Sequence, residues 1–293
     1  MKLQTPVTDS PCKVGLSYKD KIMMIGSCFT DNIGRQLKDF GFDVCVNPFG
    51  TLYNPASVLS AIKRLASKEL FKESDCVQIG AGDLRFCSFY HHTSFARESA
   101  EDFLENANQA LATAAEFFQH CNKVIITLGT SWCYRHLERD MIVSNCLKHP
   151  AAEYSREFLT ANQSETILSE IMNICKNDSG AGKSKEFIFT VSPIRHFKDG
   201  AHGNQISKAS LLVGIDFLLN RNPEAKADYF PSYEIMMDEL RDYRFYAEDM
   251  CHPTAQAVNY IGERFLAWSL CENETTLLQE NISRYKRSRH IEK

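Results

Sequence analysis

Ile22-Met23-Met24-Ile25-Gly26-Ser27-Cys28-Phe29 is the stretch that decides how this chain folds. Four apolar residues bounded by glycine predict a buried strand. Behind them, Asp31-Asn32-Ile33-Gly34-Arg35-Gln36-Leu37 takes up a helical period. Ser27 therefore lies where a first strand, over 21–26, hands over to a first helix, over 30–41. There a hydroxyl meets the free N–H groups of a helix N-terminus, a place suited to a nucleophile and an oxyanion. Near the other end, Asp249-Met250-Cys251-His252 offers a partner.

Working outward, strands and helices alternate. Asp43-Val44-Cys45-Val46-Asn47 predicts a second strand, and Asn54-Pro55 starts a helix with a cap and a proline at its first position. Residues 72–98 predict a small excursion from the main sheet. A helix follows over 100–121, then Lys123-Val124-Ile125-Ile126-Thr127-Leu128, the clearest strand. The stretch to 158 reads as loop-rich, and helix resumes over 164–175. Asp178-Ser179-Gly180-Ala181-Gly182-Lys183 reads as a surface loop that does not match a phosphate-binding loop. A fourth strand is expected over 186–191, a helix over 207–219, a last strand within 229–236 and a closing helix over 254–270. This pattern is α/β: a three-layer α/β/α sandwich on a flavodoxin-like five-stranded parallel sheet. One domain over 1–293 is expected, with a polar tail from about 272 that forms an appended helix or none.

Hydrophobic content of 44%, charged content of 24% and a net charge of −4 are those of an ordinary globular protein. They give no electrostatic reason to expect nucleic acid. The first fifteen residues lack the apolar core of a signal peptide, and no run reaches the roughly 18 apolar residues of a spanning helix. The expected compartment is the cytoplasm, with no membrane partner. Eleven cysteines without a C-x-x-C spacing predict buried free thiols, no disulfide framework and no structural zinc site. No metal or cofactor is expected. His91-His92 reads as an exposed pair.

In a parallel sheet, the loops that follow the strands share one edge, where ligands bind. Gly26-Ser27-Cys28, Gly50, Gly129-Thr130-Ser131-Trp132, Ser192-Pro193-Ile194-Arg195-His196 and Asp249 with His252 all fall there. Acyl transfer needs a hydroxyl nucleophile, a base within reach and a carboxylate to orient the base. Ser27, His252 and Asp249 supply these types. Backbone N–H groups of Ser27 and Gly50 are candidate oxyanion donors, each such donor being worth roughly 3–4 kcal/mol. Singly these signals are weak, because G-S-C after a strand is usually a turn and D-x-x-H before a helix is often a cap and a surface histidine. Cys28 is an alternative nucleophile, since a helix N-terminus lowers a thiol's pKa, but only one of two adjacent residues can face His252. Arg195 and His196 are candidates to hold a substrate anion or sugar hydroxyl, and Trp132 lines either a pocket or the core.

These blocks resemble the GSCFA family, a branch of the SGNH (GDSL-like) hydrolase superfamily. Gly26-Ser27-Cys28-Phe29 matches the block that names the family, with Thr30 where the name has alanine. Pro48-Phe49-Gly50-Thr51, Leu128-Gly129-Thr130-Ser131-Trp132, Ser144-Asn145-Cys146 and Ser192-Pro193-Ile194-Arg195-His196 are similar to later blocks, as are Asn204 and Ser207-Lys208. Asp249-Met250-Cys251-His252-Pro253 is similar to the superfamily's closing D-x-x-H-P. The resemblance implies sheet order 2-1-3-4-5 and a serine hydrolase with Ser27 as nucleophile, His252 as base and Asp249 as orienter. It implies Gly50 as second oxyanion donor. The superfamily's third block usually reads G-x-N-D, whose asparagine completes the oxyanion hole; here the place is Ser131, so the third donor is Ser131 or Asn145. The expected substrate is an acetyl or short acyl ester of a carbohydrate or small molecule. An acyltransferase with the same triad and a non-catalytic binding protein are the alternatives. Residues 72–98 and 133–160 are expected to set specificity, because they lengthen loops beside the site.

Overall fold

The computed structural model describes residues 5–7, 10–177 and 184–291. In chain order the strands are β1 (Lys21–Gly26), β2 (Asp43–Val46), β3 (Val77–Gln78), β4 (Phe86–Cys87), β5 (Lys123–Leu128), β6 (Trp132–His136), β7 (Met141–Val143), β8 (Tyr154–Phe158), β9 (Glu186–Val191) and β10 (Ala227–Phe230). The helices are α1 (Cys28–Asp39), α2 (Pro55–Ser67), α3 (Ala100–His120), α4 (Ala161–Asn177), α5 (Gly200–Arg221), α6 (Ser232–Glu234), α7 (Ala255–Ser269) and α8 (Thr275–Ile291).

β10, β9, β5, β1 and β2 form one parallel sheet in that order. Numbered among themselves along the chain, the five strands run 2-1-3-4-5. Alternate side chains enter two cores. Met23, Ile25, Val124, Ile126, Phe187 and Phe189 pack toward α2, α3, α4 and α5. Ile22, Met24, Ile125 and Ile188 pack toward α1 and α7. Both faces are covered, so β1 and β5 read as near-continuous apolar runs rather than alternating ones. Phe189 is wholly buried, and a side chain of its size contributes about 1.5–3 kcal/mol by leaving water.

Register sets the position of the site. Gly26 pairs with Thr127, Thr127 with Thr190, and Thr190 with Phe230. The chain therefore leaves β1, β5, β9 and β10 at one edge. Helices start there on built-in caps: Asn54 Oδ1 accepts from Ser57 N–H at 2.8 Å and Thr254 Oγ1 from Ala257 N–H at 3.3 Å.

Some expectations need correction. The loop-rich stretch after β5 is a separate antiparallel sheet of order β7-β6-β8. Its strands are short and only half-covered, so their mixed polarity hides them from a search for apolar runs. The last strand stops at Phe230, because Pro231 has no N–H to continue the ladder. Ile235 and Met236 are still buried, as part of a helical turn after α6. β3 and β4 form a two-stranded sheet, α8 carries the polar tail, and residues 178–183 lie outside the described residues.

His91 is not exposed. It is wholly buried among Phe49, Phe71, Phe95 and Phe103, with Nδ1 2.7 Å from Ser88 Oγ. Burial pushes its pKa down to about 3, so it packs as a neutral ring. All eleven cysteines are free thiols. Among the described residues, no helix is long and apolar enough to cross a membrane, and no group of three His, Cys, Asp or Glu is placed to hold a metal.

Candidate active site

Ser27 is the N-cap of α1, with extended backbone (φ −67°, ψ 174°). Its N–H donates to Thr127 O at 3.2 Å, tying it to the end of β5. Its Oγ accepts from Phe29 N–H at 3.3 Å, and its own proton has no acceptor among the described residues. A Cβ on Gly26 would lie 2.2 Å from Thr127 O, so this approach of β1 to β5 requires glycine. Gly26 N–H donates to Asn47 Oδ1 at 2.8 Å, and Asn47 Nδ2 donates to Asp31 Oδ1 at 2.6 Å. One asparagine thus joins the ends of β1 and β2 to the first turn of α1. Cys28, beside Ser27, is not activated: burial, then the Asp31 carboxylate, pushes its thiol pKa above the ordinary value.

Asp249 and His252 sit on the loop before α7. His252 Nδ1 lies 2.5 Å from Asp249 Oδ2, while Asp249 Oδ1 accepts from the N–H groups of Cys251 (2.8 Å) and His252 (2.9 Å). Chiefly the His252 and then the Cys251 backbone N–H hold the Asp249 carboxyl at a pKa of about 2. The carboxylate is thus both the turn's cap and the imidazole's anchor. About half of each side chain is exposed, and His252 Nε2 makes no hydrogen bond among the described residues. No hydrogen bond joins it to Ser27 Oγ.

Arg195, at the end of the β9 edge, holds this loop. Its N–H donates to Cys251 O at 3.1 Å and its Nη1 to Met250 O at 3.2 Å, with the guanidinium 4.1 Å from the Phe197 ring centre and 4.9 Å from that of Tyr246. Its charge is spent on backbone carbonyls and aromatic faces of the chain itself.

The expected oxyanion donors are mostly engaged. Gly50 N–H donates to Asn47 O at 2.8 Å in a turn with φ +80°. Ser131 is wholly buried; its N–H donates to Ser207 Oγ and its Oγ to Ser207 O, both at 2.7 Å. Asn145 is different. Its Oδ1 accepts from Leu147 N–H at 2.8 Å, while its Nδ2 makes no hydrogen bond among the described residues. Asn145 lines a pocket of about 240 Å³ with Tyr53, Thr130, Trp132 and His196, so Trp132 is a pocket residue.

His196 N–H donates to Asn204 Oδ1 at 2.9 Å, and its buried Nε2 has no partner among the described residues. Burial, then Lys208, then His252 push its pKa down to about 3. A Cβ on Gly129 would lie 3.2 Å from that Nε2, so the glycine makes room for the imidazole.

Sequence reading gave Lys208 no role. It is 1% exposed, and its Nζ donates to Gly129 O at 2.6 Å and Ser192 O at 2.7 Å. It therefore ties the ends of β5 and β9 together beneath the site, and burial pushes its pKa down to about 7. A signal was present: Asn204, Lys208, Leu211, Ile215 and Leu218 recur at helical spacing, which puts a lysine on the buried face of α5.

No curated protein matches this chain. Among the solved structures similar to this chain, two share little sequence with it. One is the crystal structure of a Bacteroides fragilis protein described as a "putative acylhydrolase" (9% identity, TM-score 0.42), matched over 90% of this chain and 91% of that one. The other is an acetyl xylan esterase from the rumen bacterium Butyrivibrio proteoclasticus (10% identity, TM-score 0.41), matched over 89% of this chain and 66% of that one. A family model matches residues 21–265, a span that holds Ser27, Gly50, Asp249 and His252, and on that match the chain belongs to the GSCFA family.

Proposed function

We propose that the protein is a serine hydrolase that cleaves an ester of a carbohydrate or other small molecule through an acyl-enzyme. One observation supports this above the others. Asp249 fixes His252 through Nδ1 and leaves Nε2 unengaged, at the sheet edge where Ser27 starts α1. In this reading His252 Nε2 takes the Ser27 proton as Oγ attacks the acyl carbon. Asp249 holds the imidazole in the tautomer that accepts there and stabilises the imidazolium that forms. The imidazolium then protonates the departing alcohol, and water, activated by the same base, releases the acid. An acceptor hydroxyl in place of that water would make the same residues an acyltransferase. The reading requires the His252 loop and Ser27 to close to hydrogen-bond distance with substrate bound, as catalytic contacts often do.

Oxyanion stabilisation falls to Asn145 Nδ2, joined by Gly50 N–H if its turn to Asn47 opens. The engaged N–H groups of Ser27 and Gly50 favour a second reading, a binding protein that recognises the ester without cleaving it. A panel of 4-nitrophenyl esters separates the two. Wild type should hydrolyse a short acyl ester, and Ser27→Ala should lower kcat by roughly 10³-fold or more while Cys28→Ala retains most of it. Equal inactivity of wild type and Ser27→Ala on broad ester and sugar-ester panels would support the binding protein. Loss of rate in Cys28→Ala but not in Ser27→Ala would move the nucleophile to the thiol.

A further inference from the structure

The pocket beside the candidate triad has a chemistry that the hydrolytic reading does not use. It lies between the segment after β2 (Tyr53), the antiparallel excursion (Trp132, Asn145, Arg156) and the segment after β9 (His196, Lys198), and its volume is about 240 Å³. Pockets for drug-sized ligands run to roughly 300–1,000 Å³, so this one suits a single small ring or group.

Its lining is rich in donors. Arg156 and Lys198 are cations, and Asp199 is the one carboxylate among the lining residues, already paired with Arg156. One positive charge is left over. Among the described residues Lys198 has no carboxylate partner; its Nζ donates to Tyr134 OH at 2.9 Å and lies 5.1 Å from that ring's centre. The Arg156 guanidinium lies 4.1 Å from the Trp132 ring centre. Cations stacked on aromatic rings are already ordered, so little freedom is lost when they meet a ligand.

Two further lining residues carry buried nitrogens with no hydrogen-bond partner among the described residues, Trp132 Nε1 and His196 Nε2. An indole N–H can only donate, so its partner must be an acceptor. A buried donor left unmet is costly, and a ligand oxygen relieves the cost. A neutral sugar would meet the indole donor but leave the surplus charge unanswered, and a cation would be repelled by it.

We propose that this pocket binds an oxyanionic group of the substrate, a carboxylate or a phosphate remote from the ester bond. The inference rests on the ester-hydrolase reading, which it narrows to acidic esters.

The test measures binding and hydrolysis separately. Methyl glucuronoside, glucose 6-phosphate and methyl glucoside are titrated calorimetrically into wild type and Lys198→Glu. Lys198 is exposed, and melting curves check that the variant is folded. Wild type should bind at least one of the two anions about tenfold more tightly than the glucoside, and Lys198→Glu should abolish that advantage. Whichever anion wins identifies the group as carboxylate or phosphate. Equal binding of all three, no detectable binding of either anion, or an advantage that survives Lys198→Glu would overturn the proposal. Anion preference with no ester hydrolysed would sink the hydrolase reading alone. Hydrolysis of 4-nitrophenyl acetate without anion preference would sink the pocket alone.

Discussion

Lys208 gives the fold a pH dependence that one substitution should remove. Its ammonium is wholly inside the protein, held by Gly129 O and Ser192 O, and the groups facing it are the Cys28 thiol, the His196 imidazole and the Tyr233 ring. None is a carboxylate, so no opposite charge offsets the loss of hydration, and its pKa falls from 10.5 to about 7. Between those values the unfolded chain holds a proton that the folded chain has released. Stability therefore rises with pH across this window, and it is lowest below about pH 7, where the buried amine is charged. From about pH 6 to pH 9, a shift of this size gives a gain of about 3 kcal/mol. Lys208→Met keeps most of the volume and removes the titration. It also leaves two carbonyls without their donor, at about 1–3 kcal/mol each, so its stability at any one pH is not diagnostic. The slope is. Urea unfolding at about pH 6, 7.5 and 9 should show wild type gaining about 3 kcal/mol more than Lys208→Met, other titrating groups cancelling in the comparison. Parallel stability curves for the two proteins would refute the assignment of a depressed pKa to this lysine.

Two further predictions follow from the site. Gly50→Ala should destabilise the protein by about 2–4 kcal/mol, because φ is +80° and the added Cβ would lie 2.4 Å from His92 Cβ; an unchanged melting temperature would contradict this. Asp249→Asn should lower kcat/KM by about 10³–10⁴-fold through loss of the oriented imidazole. With its carboxyl held at a pKa of about 2, Asp249 stays ionised throughout an assay from about pH 4 to 8. The acid limb of the wild-type profile should therefore report another group, and the variant should be slow at every pH instead of following a shifted midpoint.

The central sheet was legible because its strands are buried on both faces. Lys123–Leu128 and Glu186–Val191 are apolar but for the charged first residue and one threonine each, and their bounds come out as read. The antiparallel excursion was not legible, since Trp132, Tyr134 and Arg156 face a pocket and carry polar atoms where a core strand would carry valine. α5 begins seven residues before the expected Ser207, because Gly200-Ala201-His202-Gly203 has no apolar period to announce a helix. In the site, the Asp249–His252 spacing showed in the sequence as D-x-x-H, since one turn of backbone suffices to join them. The state of the backbone donors did not. Gly50 N–H is taken by Asn47 O three residues earlier, a matter of a left-handed turn that residue type alone leaves open. Lys208 was hidden for the opposite reason: a charged residue reads as solvated until the face it lies on is known.

The sheet formed by β6, β7 and β8 pairs only with itself. It leaves β5 through Gly129 and rejoins the sandwich at α4, so the parallel strands on either side keep their own ladder whatever it contains. Trp132 and Arg156 ride on this excursion, whereas Ser27, Asp249 and His252 do not. The excursion brings Trp132, Asn145 and Arg156 to the pocket, and His196 and Lys198 reach it from the segment after β9. A longer β6–β7 turn, whose residues 137–140 are exposed, would leave every strand of the parallel ladder in place, whereas Val143 and Leu147, buried in the main core, anchor the base of the excursion.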